Sequence, residues 1–188
     1  ERLCYYEPSK NKTEKTFVEE LSYSLNQKQK SIHSKFFYDK SGSELFEKIC
    51  KLPEYYLTRT EISILRKLDD KLSAYMDEEF RLVELGSGSS YKTRILISIF
   101  EKLQKHIEYF PIDISKILKE STTTLLDDYE NLHMTGIIDN YESGLEFVKN
   151  YDDKKNLIVF LGSSFGNFDY EPGLRFLHKI NSSMKDGD

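Results

Sequence analysis

The sequence predicts an α/β fold with a parallel β-sheet, and three observations support this. From residue 81 onward, short apolar runs alternate with segments in which apolar residues recur at helical spacing. The runs lack the polar positions of a half-exposed strand, which is typical of strands covered by helices on both faces. A loop with two glycines and then a helical segment follow the first run directly, as in Rossmann-like domains. A Rossmann-like domain preceded by a helical region is therefore expected.

The first third of the chain is predicted to be helical, because apolar residues repeat at helical spacing in three segments. Ser43 is the expected N-cap of the second helix, and Pro53 is expected to end it. Thr58 and Glu61 have the spacing of a capping box ahead of the third helix. The helical region is expected to cover residues 1–60.

The Rossmann-like part is expected to cover residues 61–188, with strands and helices in alternation. The predicted strands are 81–85, 107–112, 132–138 and 157–161. The predicted helices are roughly 91–105, 115–128, 142–150 and 171–184. Four strands make half of a doubly wound sheet, and the last of them would present an unpaired edge. The sheet is therefore expected to be truncated, and the chain to be a fragment of a longer protein.

Composition and charge exclude several classes of function. With 27 Lys and Arg against 32 Asp and Glu, the net charge is −5, which argues against binding to nucleic acid. The longest apolar runs are about five residues, too short to span a bilayer. Cys4 and Cys50 lie far apart and the four histidines lack metal-ligand spacing, so free thiols and no metal are expected. Since no secretory signal is visible, a cytoplasmic location is expected.

The glycine loop at the end of the first predicted strand is the most informative local feature. Gly86 and Gly88 allow a tight turn and a close approach of backbone to a ligand, and Lys92 adds positive charge at the following helix. A dinucleotide site would need a third glycine where this chain has Tyr91, so NAD(P) is disfavoured. The acidic Glu84, two residues before Gly86, favours S-adenosylmethionine over NAD(P) as the ligand.

Polar residues also follow the second and third predicted strands. Asp113 is placed to accept hydrogen bonds from ribose hydroxyls, as acids at this position do in other nucleoside sites. Asn140 and Tyr141 follow the third strand, where an adenine would lie. An amide or carboxylate oxygen there can accept from the adenine amino group, and a ring can cover the base.

Five segments carry a resemblance to a known family over residues 13–188. They are FFYDKSGSELF at 36–46, LPEYYLTRTE at 52–61, ELGSGSSYKTR at 84–94, FPIDIS at 110–115 and VFLGSSFGNF at 159–168. In order and spacing, these segments resemble the histidine-specific N-α-methyltransferases of ergothioneine biosynthesis. The resemblance implies S-adenosylmethionine-dependent methylation of the α-amino group of a free amino acid, most simply L-histidine to trimethylhistidine.

The resemblance also implies a set of cofactor-binding residues. Its cofactor positions fall on Gly86, Lys92 and Asp113. The family's Asp-Phe pair at the adenine aligns with Asn140 and Tyr141, so this chain departs from the pattern there. The Asn140 amide oxygen can still accept and Tyr141 can still stack, while a shift of one residue would give the role to Asp139.

On the substrate side, the resemblance implies that Tyr55 and Asn167 hold the amino acid and that Tyr38 lies close to the site. No catalytic residue is assigned, because a methyl on a sulfonium is already activated and the protein has mainly to position a neutral amine. The N-terminal helical region is then expected to be part of a substrate-binding domain.

Two other functions stay open at this stage. One is a non-catalytic protein that binds the cofactor as a scaffold, and the other is an N-methyltransferase for another amino acid, such as a tryptophan derivative. The family's imidazole-recognition residues would lie beyond residue 188, so the sequence leaves the amino acid undecided. The expected partner is a small-molecule amino acid, and a monomer is the default expectation for the oligomeric state.

Overall fold

The structure, a computed structural model, describes residues 1–8, 17–32, 34–37, 39–76, 78–88, 91–114 and 117–188. The chain divides into two compact units, one formed by Ser9–Arg59 and the other by Glu1–Pro8 together with Thr60–Asp188. In the described residues, the strands are β1 (Leu3–Tyr6), β2 (Phe80–Leu85), β3 (Ile107–Ile112), β4 (Leu132–Ile137) and β5 (Lys155–Val159). The α-helices are α1 (Phe17–Leu25), α2 (Lys40–Cys50), α3 (Leu57–Leu65), α4 (Asp69–Tyr75), α5 (Thr93–Leu103), α6 (Ile117–Asp128), α7 (Tyr141–Tyr151) and α8 (Tyr170–Ser183).

The smaller unit is helical, with a short 3-10 turn at Ser34–Phe37 ahead of α2. The N-cap of α2 is Asp39, whose carboxylate accepts a hydrogen bond from the Gly42 N–H at 2.7 Å. The prediction of Ser43 as the N-cap is therefore wrong, because Asp39 offers a stronger acceptor one turn earlier. Ser43 instead donates its own N–H to the Asp39 carbonyl, inside the helix.

The larger unit contains a five-stranded sheet of parallel strands in the order β1-β4-β3-β2-β5. The four predicted strands and the helices that alternate with them are present within a few residues of their expected bounds. The predicted α/β Rossmann-like fold is confirmed. Strand β1 was not predicted, and it adds an edge to the sheet by pairing Leu3 with Met134 and Tyr6 with Ile137.

The core lies on both faces of this sheet, because successive side chains of a strand point to opposite sides. On one face, Leu82 packs with Phe100 of α5 and Leu125 of α6. On the other face, Val83 packs with residues of α7 and with Phe176 of α8. Helices on both faces explain why β2 and β3 are buried along almost their whole length. In the described part of the chain, no helix is long and apolar enough to cross a membrane.

A buried arginine organises the edge of the sheet at the amino ends of the strands. Arg81, at the start of β2, is fully buried and contacts the carboxylates of Glu108, at 2.9 Å, and Asp152. Its guanidinium lies 4.3 Å from the centre of the Phe110 ring. Burial alone would raise the pKa of both carboxyls, but hydrogen bonds from Arg81 and Lys154 outweigh it and lower them. These contacts therefore stabilise the amino ends of the strands. The candidate site lies at the opposite, carboxyl ends.

Candidate functional site

The candidate site lies at the carboxyl ends of the strands, where parallel α/β sheets bind ligands. The glycine loop follows β2, Asp113 follows β3, Asn140 follows β4 and Gly162 follows β5. Because all of these strands run parallel, the topology brings the four connections to one edge of the sheet.

The glycine turn needs glycine for two different reasons. Gly86 and Gly88 have φ angles of 73° and 51°, in the left-handed region that favours glycine. A Cβ on Gly86 would also lie 2.7 Å from Tyr141 Oη, closer than side chains can approach. At Gly88, a Cβ would meet no atom of the described residues within 4 Å. The turn is thus closed against Tyr141 at Gly86 and open at Gly88.

Asp113 lies directly beside this turn. Its carboxylate oxygen Oδ2 is 3.5 Å from the Gly88 nitrogen, at the long limit of a hydrogen bond. Its backbone N–H donates to the Ile137 carbonyl at 3.0 Å, which fixes the residue against β4. The carboxylate is half-buried and so remains accessible to a ligand at the open side of the turn.

Asn140 and Tyr141 both have structural partners. Asn140 is the N-cap of α7, and its side-chain oxygen accepts the Ser143 N–H at 2.9 Å. The Tyr141 ring packs with Phe160 and Phe176, at centroid distances of 5.5 and 5.9 Å. The Tyr141 hydroxyl faces the glycine turn at Gly86, so Tyr141 borders the candidate site while Asn140 begins the helix.

Lys92 is anchored by a residue whose role the sequence analysis missed. The Lys92 ammonium lies 2.9 Å from Glu61 Oε2, and Glu61 Oε1 accepts the Gly162 N–H at 2.7 Å. The expected capping box is wrong, because α3 already begins at Leu57 and Glu61 uses its carboxylate for these distant partners. Spacing along the chain alone could not have identified them.

A buried carboxyl group lies below the glycine turn. Glu84 is 2% exposed, and its Oε2 accepts hydrogen bonds from the hydroxyls of Thr93 and Tyr109, each at 2.6 Å. Burial raises the pKa of Glu84 to about 7, although both hydrogen bonds oppose the shift. Burial and the neighbouring Glu84 also raise the pKa of Tyr109 well above its ordinary value, so Tyr109 remains a neutral donor. This network joins β2, β3 and α5 under the turn.

The substrate residues implied by the resemblance do not all belong to the same compact unit. Asn167 is exposed at the end of a 3-10 turn, Ser164–Asn167, in the connection after β5. Tyr55 belongs to the smaller unit, where its ring packs edge-on against Phe46 with centroids 6.0 Å apart. Tyr38 lies outside the described residues. Asn167 therefore lies at the same ends of the strands as the cofactor candidates.

Comparison with known proteins gives a consistent result. A family profile described as histidine-specific methyltransferase, SAM-dependent, matches residues 17–188. Histidine N-α-methyltransferase of Mycolicibacterium smegmatis is 34% identical over 160 residues, which cover 85% of this chain and 49% of the relative. The enzyme of the same name from Mycobacterium tuberculosis is 34% identical over 165 residues, covering 87% and 50%. The chain thus spans about half the length of these curated relatives.

A solved structure supports the fold. The plantazolicin methyltransferase BamL, in complex with a triazolic desmethylPZN analog and SAH, superposes with a TM-score of 0.51 at 20% identity. The superposition covers 80% of this chain and 50% of BamL. At this level of identity, the likeness concerns the fold alone.

Proposed function

Because the chain belongs to the family of histidine-specific, SAM-dependent methyltransferases, we propose that the protein methylates the α-amino group of L-histidine, forming trimethylhistidine. The observation that carries the proposal is the meeting of the glycine turn, Lys92 and Asp113 at one edge of the sheet. That edge is where nucleoside ligands bind in sheets of this topology.

The chemistry of these groups fits S-adenosylmethionine. When bound, this cofactor supplies a methyl group that its sulfonium has already activated. An ammonium group has three N–H donors, and Glu61 accepts from Lys92. Lys92 therefore keeps donors for the carboxylate of the methionine part. The Asp113 carboxylate offers acceptors for the two ribose hydroxyls.

The glycine turn and the wall beside it complete the proposed cofactor site. A Cβ at Gly88 would occupy the open side of the turn, so glycine leaves room there for the cofactor. Asn140 has one acceptor position left on its oxygen after capping α7, which suits the adenine amino group. We assign Gly86 and Tyr141 to the inner wall, with Asp139 as the alternative acceptor.

Asn167 is the proposed anchor for the amino acid at this edge. Its amide can both donate to a carboxylate and accept from an amine, which orients the substrate without a covalent intermediate. Transfer needs a neutral amine, and a site that removes water from the substrate lowers the pKa of its ammonium group. Tyr55 and Tyr38 are proposed from the resemblance of their motifs, as is substrate binding by the N-terminal region of residues 1–60. The cytoplasmic location and the monomeric state stay predictions.

The test is a methyl-transfer assay on the full-length protein with S-adenosylmethionine and a panel of free amino acids that includes histidine and tryptophan derivatives. We expect histidine to gain up to three methyl groups by mass spectrometry. Transfer to a different amino acid would contradict the assigned substrate. Cofactor binding without any transfer would favour the non-catalytic scaffold.

Two variants test the assigned residues. Asp113→Asn should weaken S-adenosylmethionine binding about tenfold or more, because it loses charge-assisted hydrogen bonds. Asn167→Ala should mainly raise the KM for histidine. Asp127→Asn and Asn181→Ala change exposed residues on α6 and α8 and serve as matched controls. Unchanged binding in Asp113→Asn, or an unchanged KM in Asn167→Ala, would refute the corresponding role.

A further inference from the structure

Glu61 joins two connections at the candidate site. Its oxygen Oε2 lies 2.9 Å from the Lys92 ammonium, and Oε1 accepts the Gly162 N–H at 2.7 Å. Lys92 belongs to the connection after β2 and Gly162 to the connection after β5, and these two strands are neighbours in the sheet. One carboxylate therefore ties together the two loops that carry the proposed cofactor and amino-acid anchors.

The surroundings of this contact make it stronger than a surface ion pair. The side chains of Lys92 and Glu61 are 24% and 23% exposed, so water screens their attraction only partly. A Cβ on Gly162 would lie 3.1 Å from Lys92 Nζ, which shows how closely the lysine headgroup approaches this backbone. The three residues form one compact group.

Glu61 also holds a backbone segment of unfavourable conformation. Gly162 and Ser163 have φ angles of 88° and 61°, and a left-handed conformation at a residue with a side chain costs about 1 kcal/mol. The charge-assisted hydrogen bond from the Gly162 N–H to Glu61 compensates for this cost. Ser163 is the N-cap of the 3-10 turn that ends at Asn167, so the segment held by Glu61 leads directly into that turn.

We infer that Glu61 is a positioning residue that acts through two partners. Toward Lys92, it fixes the ammonium where the remaining donors can reach the cofactor carboxylate. Toward Gly162, it fixes the turn that leads to Asn167. The inference rests on the proposed function, since it assigns Lys92 to the cofactor and Asn167 to the amino acid.

The substitution Glu61→Gln separates the contact with Lys92 from the contact with Gly162. The glutamine oxygen still accepts the Gly162 N–H, but the amide NH2 is a donor and opposes the Lys92 ammonium. We expect Glu61→Gln to weaken S-adenosylmethionine binding about five- to tenfold and to leave the KM for the amino acid within about twofold. Glu61→Ala loses both contacts and should raise both the cofactor Kd and the amino-acid KM.

A double-mutant cycle on cofactor binding distinguishes the positioning role of Glu61 from that of a purely structural ion pair. If Glu61 acts through Lys92, Glu61→Gln should change the Kd little in a Lys92→Met background. Glu79→Gln is the matched control. Glu79 lies just before β2 and pairs with Lys154, which lies just before β5, so this ion pair is at the amino ends of the same two strands. That control should leave the Kd unchanged.

Binding is measured by isothermal titration calorimetry on the full-length protein, independently of turnover. Absence of binding by the unaltered protein would refute the proposed function itself. Normal binding by the unaltered protein, with an equal Kd in Glu61→Gln or with additive effects in the cycle, would overturn the inference alone. If Glu61→Gln fails to fold, Glu61→Asp takes its place. Its shorter side chain cannot span both partners, so an unaltered Kd and KM there would also overturn the inference.

Discussion

Neutralising Glu84 should change how the stability of the protein depends on pH. Glu84 is buried below the glycine turn, and burial raises its pKa from the ordinary 4.5 to about 7. The folded protein therefore keeps a proton on Glu84 at pH values where the unfolded chain has already lost it. The stability that Glu84 contributes is complete below pH 4.5 and is lost as the pH rises to about 7.

The size of this loss follows from the pKa difference. A gap of about 2.5 pH units corresponds to about 3 kcal/mol, at roughly 1.4 kcal/mol per unit. Glu84→Gln keeps an oxygen that can accept from Thr93 and Tyr109 but carries no charge at any pH. Relative to the unaltered protein, the variant should gain about 2–3 kcal/mol of stability between pH 5 and pH 8.

The assay is urea unfolding of both proteins at several pH values, with the difference in free energy of unfolding plotted against pH. Other titrating groups cancel in this difference, so its slope reports on Glu84. Glu108→Gln is the control, because hydrogen bonds from Lys154 and Arg81 lower the pKa of Glu108 despite its partial burial. Its difference should therefore stay constant between pH 5 and pH 8 and change only as the pH falls below about 4.5. A difference for Glu84→Gln that stays constant from pH 5 to pH 8 would refute the reasoning.

Five further substitutions test the packing of the fold. Gly86→Ala should destabilise the protein and weaken cofactor binding. Adding Tyr141→Phe should recover part of the stability by removing the 2.7 Å contact, leaving about 1 kcal/mol for the left-handed φ; no recovery in urea unfolding would contradict this. Arg81→Leu removes the buried hydrogen-bond partner of Glu108 and Asp152 and should cost about 1–3 kcal/mol, and an unchanged Tm would refute the role of Arg81. Gly144→Ala places a Cβ 2.4 Å from a β3 isoleucine and should cost about 1–3 kcal/mol. Gly166→Ala meets no atom of the described residues within 4 Å and should cost under about 0.5 kcal/mol. Equal losses would contradict the packing argument.

The sequence was sufficient to predict the strands and helices of the larger unit, because these depend on local patterns. Strand β2 is a short run of mostly apolar residues, and the helices show apolar residues at a period near 3.6. The meeting of the glycine turn with Asp113 was also predictable, since the carboxyl ends of parallel strands share one edge.

Features that depend on distant partners were not predictable in this way. Strand β1 has four residues, too few for a period to be visible, and its partner β4 is remote in the sequence. Glu61 was interpreted as a helix cap because the spacing fits one, but its partners Lys92 and Gly162 come later in the chain. Hydrogen bonds of this kind are set by tertiary packing, which no local pattern reports.

The position of β1 at the sheet edge has a consequence for the order of folding. Residues 3–6 leave the ribosome about 130 residues ahead of their pairing partners at 134–137. Closing a loop of that length costs roughly 4 kcal/mol of chain entropy beyond a constant, before any contact is gained. Strand β1 should therefore dock late, after β4 has joined β3. Until then the outer edge of β4 has free backbone groups that can pair with other chains, so we expect docking of β1 to reduce aggregation during synthesis.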